Sequence, residues 1–286
     1  MAQAQVVAAA LMARHPDLDV ELVLIETLGD LRAEVPLHTI GGLGVFVKEV
    51  QQAVLRGDAE VAVHSAKDLP SSTVTELQLA AFCERRDPRD ALVGRSLGDL
   101  EQGATVATGS VRRSAQLASV RPDLQFTELR GNIHTRLGKV PPDGSLVMAV
   151  TALQVLGLTD RIAEILPLDP FVPSPGQGCV AVECRAGDDR VAELLAGIDH
   201  PATRSAVEAE RAFLAELGSG CTLPVGAHAS GDELIGFLAR PDVGRSLIDR
   251  AVLPGERDQR LLAAARLARA MHGRLHQQLP NQLPEP

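Results

Sequence analysis

The strongest constraint on this chain is an alternation. Short apolar runs with strand character take turns with amphipathic helical runs through most of its 286 residues. "VELVLIET" (20–27) and "AEVAVHS" (59–65) flank the helical pattern "FVKEVQQAVLRG"; "TVATGS", "LQFTEL" and "SLVMAV" flank "SVRRSAQLASV" and "NIHTRLGKV". Strands alternating with helices of about 10–15 residues predict βαβ units and mostly parallel sheets. "RRDPRD" near residue 88 reads as a crossing between two such sheets, and the Pro-rich "PLDPFVPSPGQG" (167–178) as the return, followed by the strand "CVAVECR". From "HPATRSAVEAERAFLAELG" onward a helix, three short strands ("AHAS", "ELIGFLAR", "SLIDRAVL") and a long terminal helix form a small α+β unit. The expectation is therefore an α/β chain of two βα lobes plus a small α+β C-terminal domain. Its boundaries fall at 1–86 with 173–199 (lobe 1), 87–172 (lobe 2) and 200–286.

In open α/β sheets ligands sit beyond the carboxyl ends of the strands, and the polar clusters fall there. "AEVAVHSAKDLP" places Ser65, Lys67 and Asp68 just past one strand; "TVATGSVRRS" places Thr108, Ser110, Arg112 and Arg113 at a strand-to-helix turn; "LQFTELRGN" delivers Arg130 after a third. Composition narrows the ligand. Net charge is −9, yet Arg112, Arg113, Arg121, Arg130, Arg136 and Lys139 stand between residues 111 and 140 against only Asp123 and Glu128. An acidic protein with one basic segment suits a compact anion with several carboxylates or phosphates. It disfavours nucleic acid, as does an aromatic content of 2% without Trp or Tyr. No apolar run approaches the roughly 20 residues of a membrane span. The N-terminus lacks a signal peptide's basic flank and reads as an amphipathic helix, so a cytoplasmic protein is expected.

The 4 cysteines form no C-x-x-C pair. Cys179 and Cys184, in a strand-like run, read as core. Cys221 is different: "LGSGCTLPVGA" sets it in a loop of small residues, where sulfur stays open to react. His64 reads equally as a structural histidine and is left out of catalysis, and His134 as incidental.

Taken together, "GGLGVFVKEV", "VAVHSAKDLP", "ERRDPRDAL", "GSVRRSAQL", "RPDLQFTELRGNIHTRL", "LGLTDRI", "GQGCVAVECR" and "AERAFLAELGSGCTLPVGA" resemble the porphobilinogen deaminase (hydroxymethylbilane synthase) family. The resemblance implies two periplasmic-binding-protein-like lobes with a cofactor-carrying C-terminal domain. It implies a transferase of tetrapyrrole, porphyrin and heme biosynthesis that joins four porphobilinogen units head to tail, releasing ammonia, on a covalent dipyrromethane primer. Cys221 would carry that cofactor as a thioether, and Asp68 would be the catalytic carboxylate facing positive charge on pyrrole nitrogen. Ser65, Lys67, Thr108, Ser110, Arg112, Arg113 and Arg130 would hold the cofactor's carboxylates. Lys48, Arg136, Arg161, Gln177 and Arg185 would serve the substrate and growing chain, with Arg112 and Arg113 acting on ligand rather than on stability. No metal is implied, and a monomer is expected. The competing expectation is a degenerate or truncated homologue that binds a polycarboxylate without turnover.

Three departures from the family pattern stand out. Gly109 replaces a common second serine, and Thr151-Ala152 replaces a small Ala-Gly pair. A first strand before the N-terminal helix is missing, which leads to the expectation of an upstream start and of unpaired edges on the strands at 20–27 and 59–65.

Overall fold

The computed structural model describes residues 1–25, 47–72, 74–218 and 224–276. Its first sheet has the order β1-β8-β2, from β1 (Val61–Ser65), β2 (Leu77–Phe82) and β8 (Val180–Arg185). Both pairings are antiparallel, with Ser65 opposite Val180 and Val61 opposite Cys184. Helices cover both faces. On one lie α1 (Ala2–Arg14) and α6 (Asp189–Ala196), whose Val7, Leu11, Val191 and Leu195 pack on Ala81, Val182 and Cys184. On the other lie α2 (Lys48–Arg56) and α7 (Pro201–Glu216), with Val54 against Ala62 and Leu77, and Val207 against Phe82 and Ala181. A strand covered on both sides needs a continuous apolar run rather than an alternating one, which is how Cys179–Val182 at the start of β8 reads. Cys179 and Cys184 are buried in this core, as expected.

The second sheet has the order β5-β4-β6-β3-β7, from β3 (Asp90–Gly94), β4 (Thr105–Ala107), β5 (Gln125–Thr127), β6 (Ser145–Ala149) and β7 (Ile162–Ile165). Around it run α3 (Val111–Val120), α4 (Ile133–Leu137) and α5 (Val150–Val155). One face packs Leu92, Val106 and Val147 with Leu117 of α3; the other packs Val93, Ala107, Leu146 and Met148 with Leu153 of α5. In the third unit β9 (Val225–Ser230), β10 (Glu233–Arg240) and β11 (Arg245–Val252) form an antiparallel meander under α7 and α8 (Arg257–His276). Gly236 makes that packing possible, since a Cβ there would lie 2.8 Å from the Phe213 ring. The opposite face of β10 rests on Val172 of the return segment and Ala115 of α3.

The chain is thus two α/β lobes and a small α+β unit, as the alternation predicts. The expectation of mostly parallel sheets is corrected. Among the described residues only the pairs of β4 with β5 and β6 are parallel. The reason is the pair of crossings. β3 and β8 enter their sheets by extended segments from the other lobe instead of through a helix on the sheet's own face, so each arrives antiparallel to its neighbours. A second difference lies at the N-terminus. Residues 20–25 of the expected strand 20–27 have no strand hydrogen bonding, and 26–27 lie outside the described residues. Among the described residues β1 pairs with β8 alone.

Candidate active site

β1 ends in a single 3₁₀ turn, Ala66–Asp68. Two contacts fix it. The Ala66 amide donates to the Cys179 carbonyl at 3.0 Å, and Gly176 of the return segment packs against the turn's backbone. Gly176 has φ +73°, and a Cβ on it would lie 3.0 Å from Ala66, so both conformation and closeness demand glycine. Leu69 is buried behind the turn. Lys67 is half-buried and Asp68 is exposed, although protein packed around its carboxyl partly desolvates it. That desolvation pushes the Asp68 carboxyl above its ordinary value, opposed by Lys67, His64 and Arg136. Burial likewise pushes the Lys67 ammonium down, with Asp68 opposing and Arg113 assisting. Among the described residues neither side chain has a hydrogen-bond partner.

The second lobe presents its groups at the carboxyl ends of β4 and β5. Ser110 caps α3, accepting from the Arg113 amide at 3.4 Å, and buried Thr108 accepts from the Ser110 amide at 3.2 Å. Asp90, the first residue of β3 and 1% exposed, organises the arginines. Arg112 donates to Asp90 Oδ2 at 2.8 Å and Arg113 to Oδ1 at 2.7 Å, while Gln177 Nε2 donates to Oδ1 at 2.8 Å and to the Pro88 carbonyl at 2.7 Å. Burial alone would raise the Asp90 pKa; the two guanidiniums beside it outweigh that and hold it well below the usual carboxylate range.

The expected site residues therefore divide. Lys67, Asp68, Arg113 and Arg136 come together across the cleft. Each perturbs the ionisation of at least one other, and Arg136 is pushed down by burial, then by Arg113 and Arg130. Arg136 Nε donates to the Gly131 carbonyl at 2.7 Å, and Arg130 pairs with Glu128 at 2.8 Å. Ser65 lines a small hollow with Thr151 and Val155 of the second lobe. Lys48 stands exposed at the start of α2. Arg112 is buried and its guanidinium is committed to Gln116, the Val172 carbonyl and Asp90, so stability and ligand roles are not separate there as the sequence suggests. Arg185 is not in the cluster: it ends β8 at the far edge and donates to the Val54 carbonyl at 2.9 Å and to Asp188 at 3.2 Å. Arg161 is exposed before β7, which begins opposite Val93 at the end of the sheet away from Asp90. Cys221 lies outside the described residues. The Gly109 departure has a steric reason, because a Cβ there would sit 2.9 Å from the Leu129 carbonyl oxygen.

Sequence reading did not assign Asp90 or Glu210. Glu210 on α7, fully buried, accepts from Arg85 of the first crossing at 2.5 Å, from the Gly176 amide of the return at 2.7 Å and from the Ala229 amide of β9 at 2.8 Å. Its signal was present: an acid inside an apolar helix face opposite an arginine-rich crossing.

Two α/β lobes thus bring together several cations and a carboxylate that has no hydrogen-bond partner among the described residues. The chain belongs to the porphobilinogen deaminase family. Residues 1–193 match the family's dipyromethane cofactor binding domain and residues 205–271 its C-terminal domain. It is 48% identical over 242 residues to the porphobilinogen deaminase of Roseiflexus castenholzii, covering 82% of this chain and 80% of that protein. It is 49% identical over 235 residues to that of Acidothermus cellulolyticus, covering 79% and 70%. Among solved structures, an amino acid ABC transporter substrate-binding protein from Streptococcus pneumoniae aligns with TM-score 0.35 at 14% identity, covering 73% of this chain and 82% of that one. Among the described residues no helix is long and apolar enough to cross a membrane.

Proposed function

We propose that this chain is a hydroxymethylbilane synthase that joins four porphobilinogen units on a dipyrromethane held by Cys221. The observation that carries the reading is Asp68, a carboxylate without a hydrogen-bond partner among the described residues, under the influence of Lys67, His64 and Arg136, with Arg113 acting in turn on Lys67 and Arg136. A dipyrromethane bearing acetate and propionate arms fits that donor set, since guanidinium forks match carboxylates in pairs. When bound, it supplies the pyrrole carbon that is extended.

The chain's own residues divide the remaining work. Arg113 and Arg136 bind carboxylate arms from the second lobe; Lys67 and Ser65 do so from the first. Thr108, Ser110 and Arg130 border the same end of the second sheet. Asp68 would stabilise the positive charge that develops on pyrrole nitrogen. In a water-poor cleft such a preorganised charge acts strongly. Its raised pKa also suits it to holding and returning a proton. Thiol chemistry supports the attachment point as well. Burial pushes the Cys83 thiol up to about 11 and Cys179 up to about 12, and Cys184 is raised too, so the described cysteines are poor nucleophiles. The same reading takes the protein as a cytoplasmic monomer.

Intact-mass spectrometry tests it. The purified protein is expected to weigh more than its sequence by one dipyrromethane, with the increment on the peptide containing Cys221 and absent from Cys221→Ser. No increment in the unmutated protein overturns the reading and favours a binding protein without turnover.

A further inference from the structure

The first crossing and the return run side by side between the lobes. The Cys83 amide donates to the Val180 carbonyl at 2.9 Å, and the Arg86 amide to the Gly178 carbonyl at 2.9 Å. The approach is close enough that a Cβ on Gly178 would lie 2.7 Å from the Arg86 carbonyl oxygen. Past Arg86, among the described residues, no backbone hydrogen bond joins the two segments, and Pro88 has no N–H to offer. The Gln177 side chain takes over there. Its Nε2 donates to the Pro88 carbonyl at 2.7 Å and to Asp90 Oδ1 at 2.8 Å. A side-chain amide carries two N–H donors, so both are spent inside the protein. Its Oε1 lies 3.5 Å from Arg113 Nη2, and the residue is 1% exposed. A substrate carboxylate, which can only accept, finds no free donor on Gln177.

The residue before it works on the other lobe. Gly176 packs against Ala66 of the turn that carries Asp68. Asp90 Oδ1, which Gln177 holds, also accepts from Arg113 Nε at 3.0 Å and Nη2 at 2.7 Å. Two consecutive residues thus touch the Asp68 turn of the first lobe and the anchor of Arg113 in the second. We propose that Gln177 is a positioning residue that fixes Arg113 relative to the Asp68 turn and makes no substrate contact of its own. The proposal rests on the reading of the site given above, in which Arg113 binds a carboxylate arm. Without the amide, the Asp90 carboxylate loses its tie to the return and is free to turn, carrying the Arg113 fork with it.

The test is a double-mutant cycle on the full chain: unmutated protein, Gln177→Met, Arg113→Lys and the two combined. It is read by adduct mass, by kcat and KM, and by hydrogen exchange of the Arg113 Nε–H in NMR, the signal assigned by its loss in Arg113→Lys. Gln177→Met keeps the length of the side chain without its donors. It is expected to retain the adduct, to raise KM about tenfold with kcat within about twofold, and to speed the Arg113 exchange about tenfold. In the Arg113→Lys background, where the charge remains but the fork is gone, the same change should move KM by less than about twofold, because residues that act through one another are not additive. A direct substrate contact would raise KM equally in both backgrounds and leave the Arg113 exchange in place. A purely structural Gln177 would lower the melting temperature and leave both KM and the exchange in place. Either result overturns the proposal. If Gln177→Met does not fold, Gln177→Asn, too short to reach both acceptors, replaces it, and an unchanged Arg113 exchange overturns the proposal equally. Failure of the unmutated protein to carry an adduct and make product defeats the reading of the site instead, and the Arg113 exchange still decides whether Gln177 holds that guanidinium.

Discussion

Asp68 and Asp90 stand at the same cleft, one at the end of β1 and the other at the start of β3, and burial drives both pKa values upward. They end on opposite sides of the ordinary value. Asp90 has two guanidiniums and an amide within 3.0 Å, whereas none of the cations that act on Asp68 hydrogen-bonds to it among the described residues. Hydrogen-bonded partners, rather than depth, decide which carboxylate is structural and which is free to act. A satisfied carboxylate fixes its neighbours; an unsatisfied one awaits a ligand.

The comparison breaks most visibly at Asp90. Asp90→Ala strands one buried and one half-buried guanidinium, and removing one partner of a buried pair costs about 3–5 kcal/mol. Chemical denaturation should show that loss with the slope unchanged. Arg113→Leu is expected to cost less, about 1–3 kcal/mol, because Arg112 still serves Asp90. It should also impair adduct formation at intact mass. Retention of full stability would place Arg113 wholly on the ligand side. Asp68→Asn sharpens the contrast at the small end. A carboxyl with a raised folded pKa contributes stability at low pH, below its ordinary value, and loses it as pH rises through the folded pKa. Asn should therefore leave stability at neutral pH equal or slightly higher, within about 0.5 kcal/mol. Melting curves across pH 4–8, a range of about four units spanning ordinary carboxyl ionisation, check this.

Much of this arrangement is written in local sequence. The βα alternation, the crossing at "RRDPRD" and the Pro-rich return place β1, β4 and β5 with their polar ends at one cleft, because periodicity and turn residues are local properties. Strand direction was not legible, since β3 and β8 take theirs from the crossings. Neither was the fate of each arginine. Arg112 and Arg113 are adjacent in sequence, yet one is buried against the Val172 carbonyl while the other is half-buried and reaches the Val147 carbonyl as well as Asp90. Arg185 looks like a site residue from its motif but closes α2 at the far end of β8. Such assignments depend on which carboxylate a distant element delivers, as β3 delivers Asp90 and α7 delivers Glu210.

The central claim is that Asp68 is held free for chemistry while Asp90 is spent on structure. The most direct test is the turnover of Asp68→Asn in a preparation whose adduct mass and melting temperature match those of the unmutated protein. The account predicts a fall in kcat of at least about 100-fold, the scale on which preorganised electrostatic groups act. Turnover close to that of the unmutated protein would contradict it.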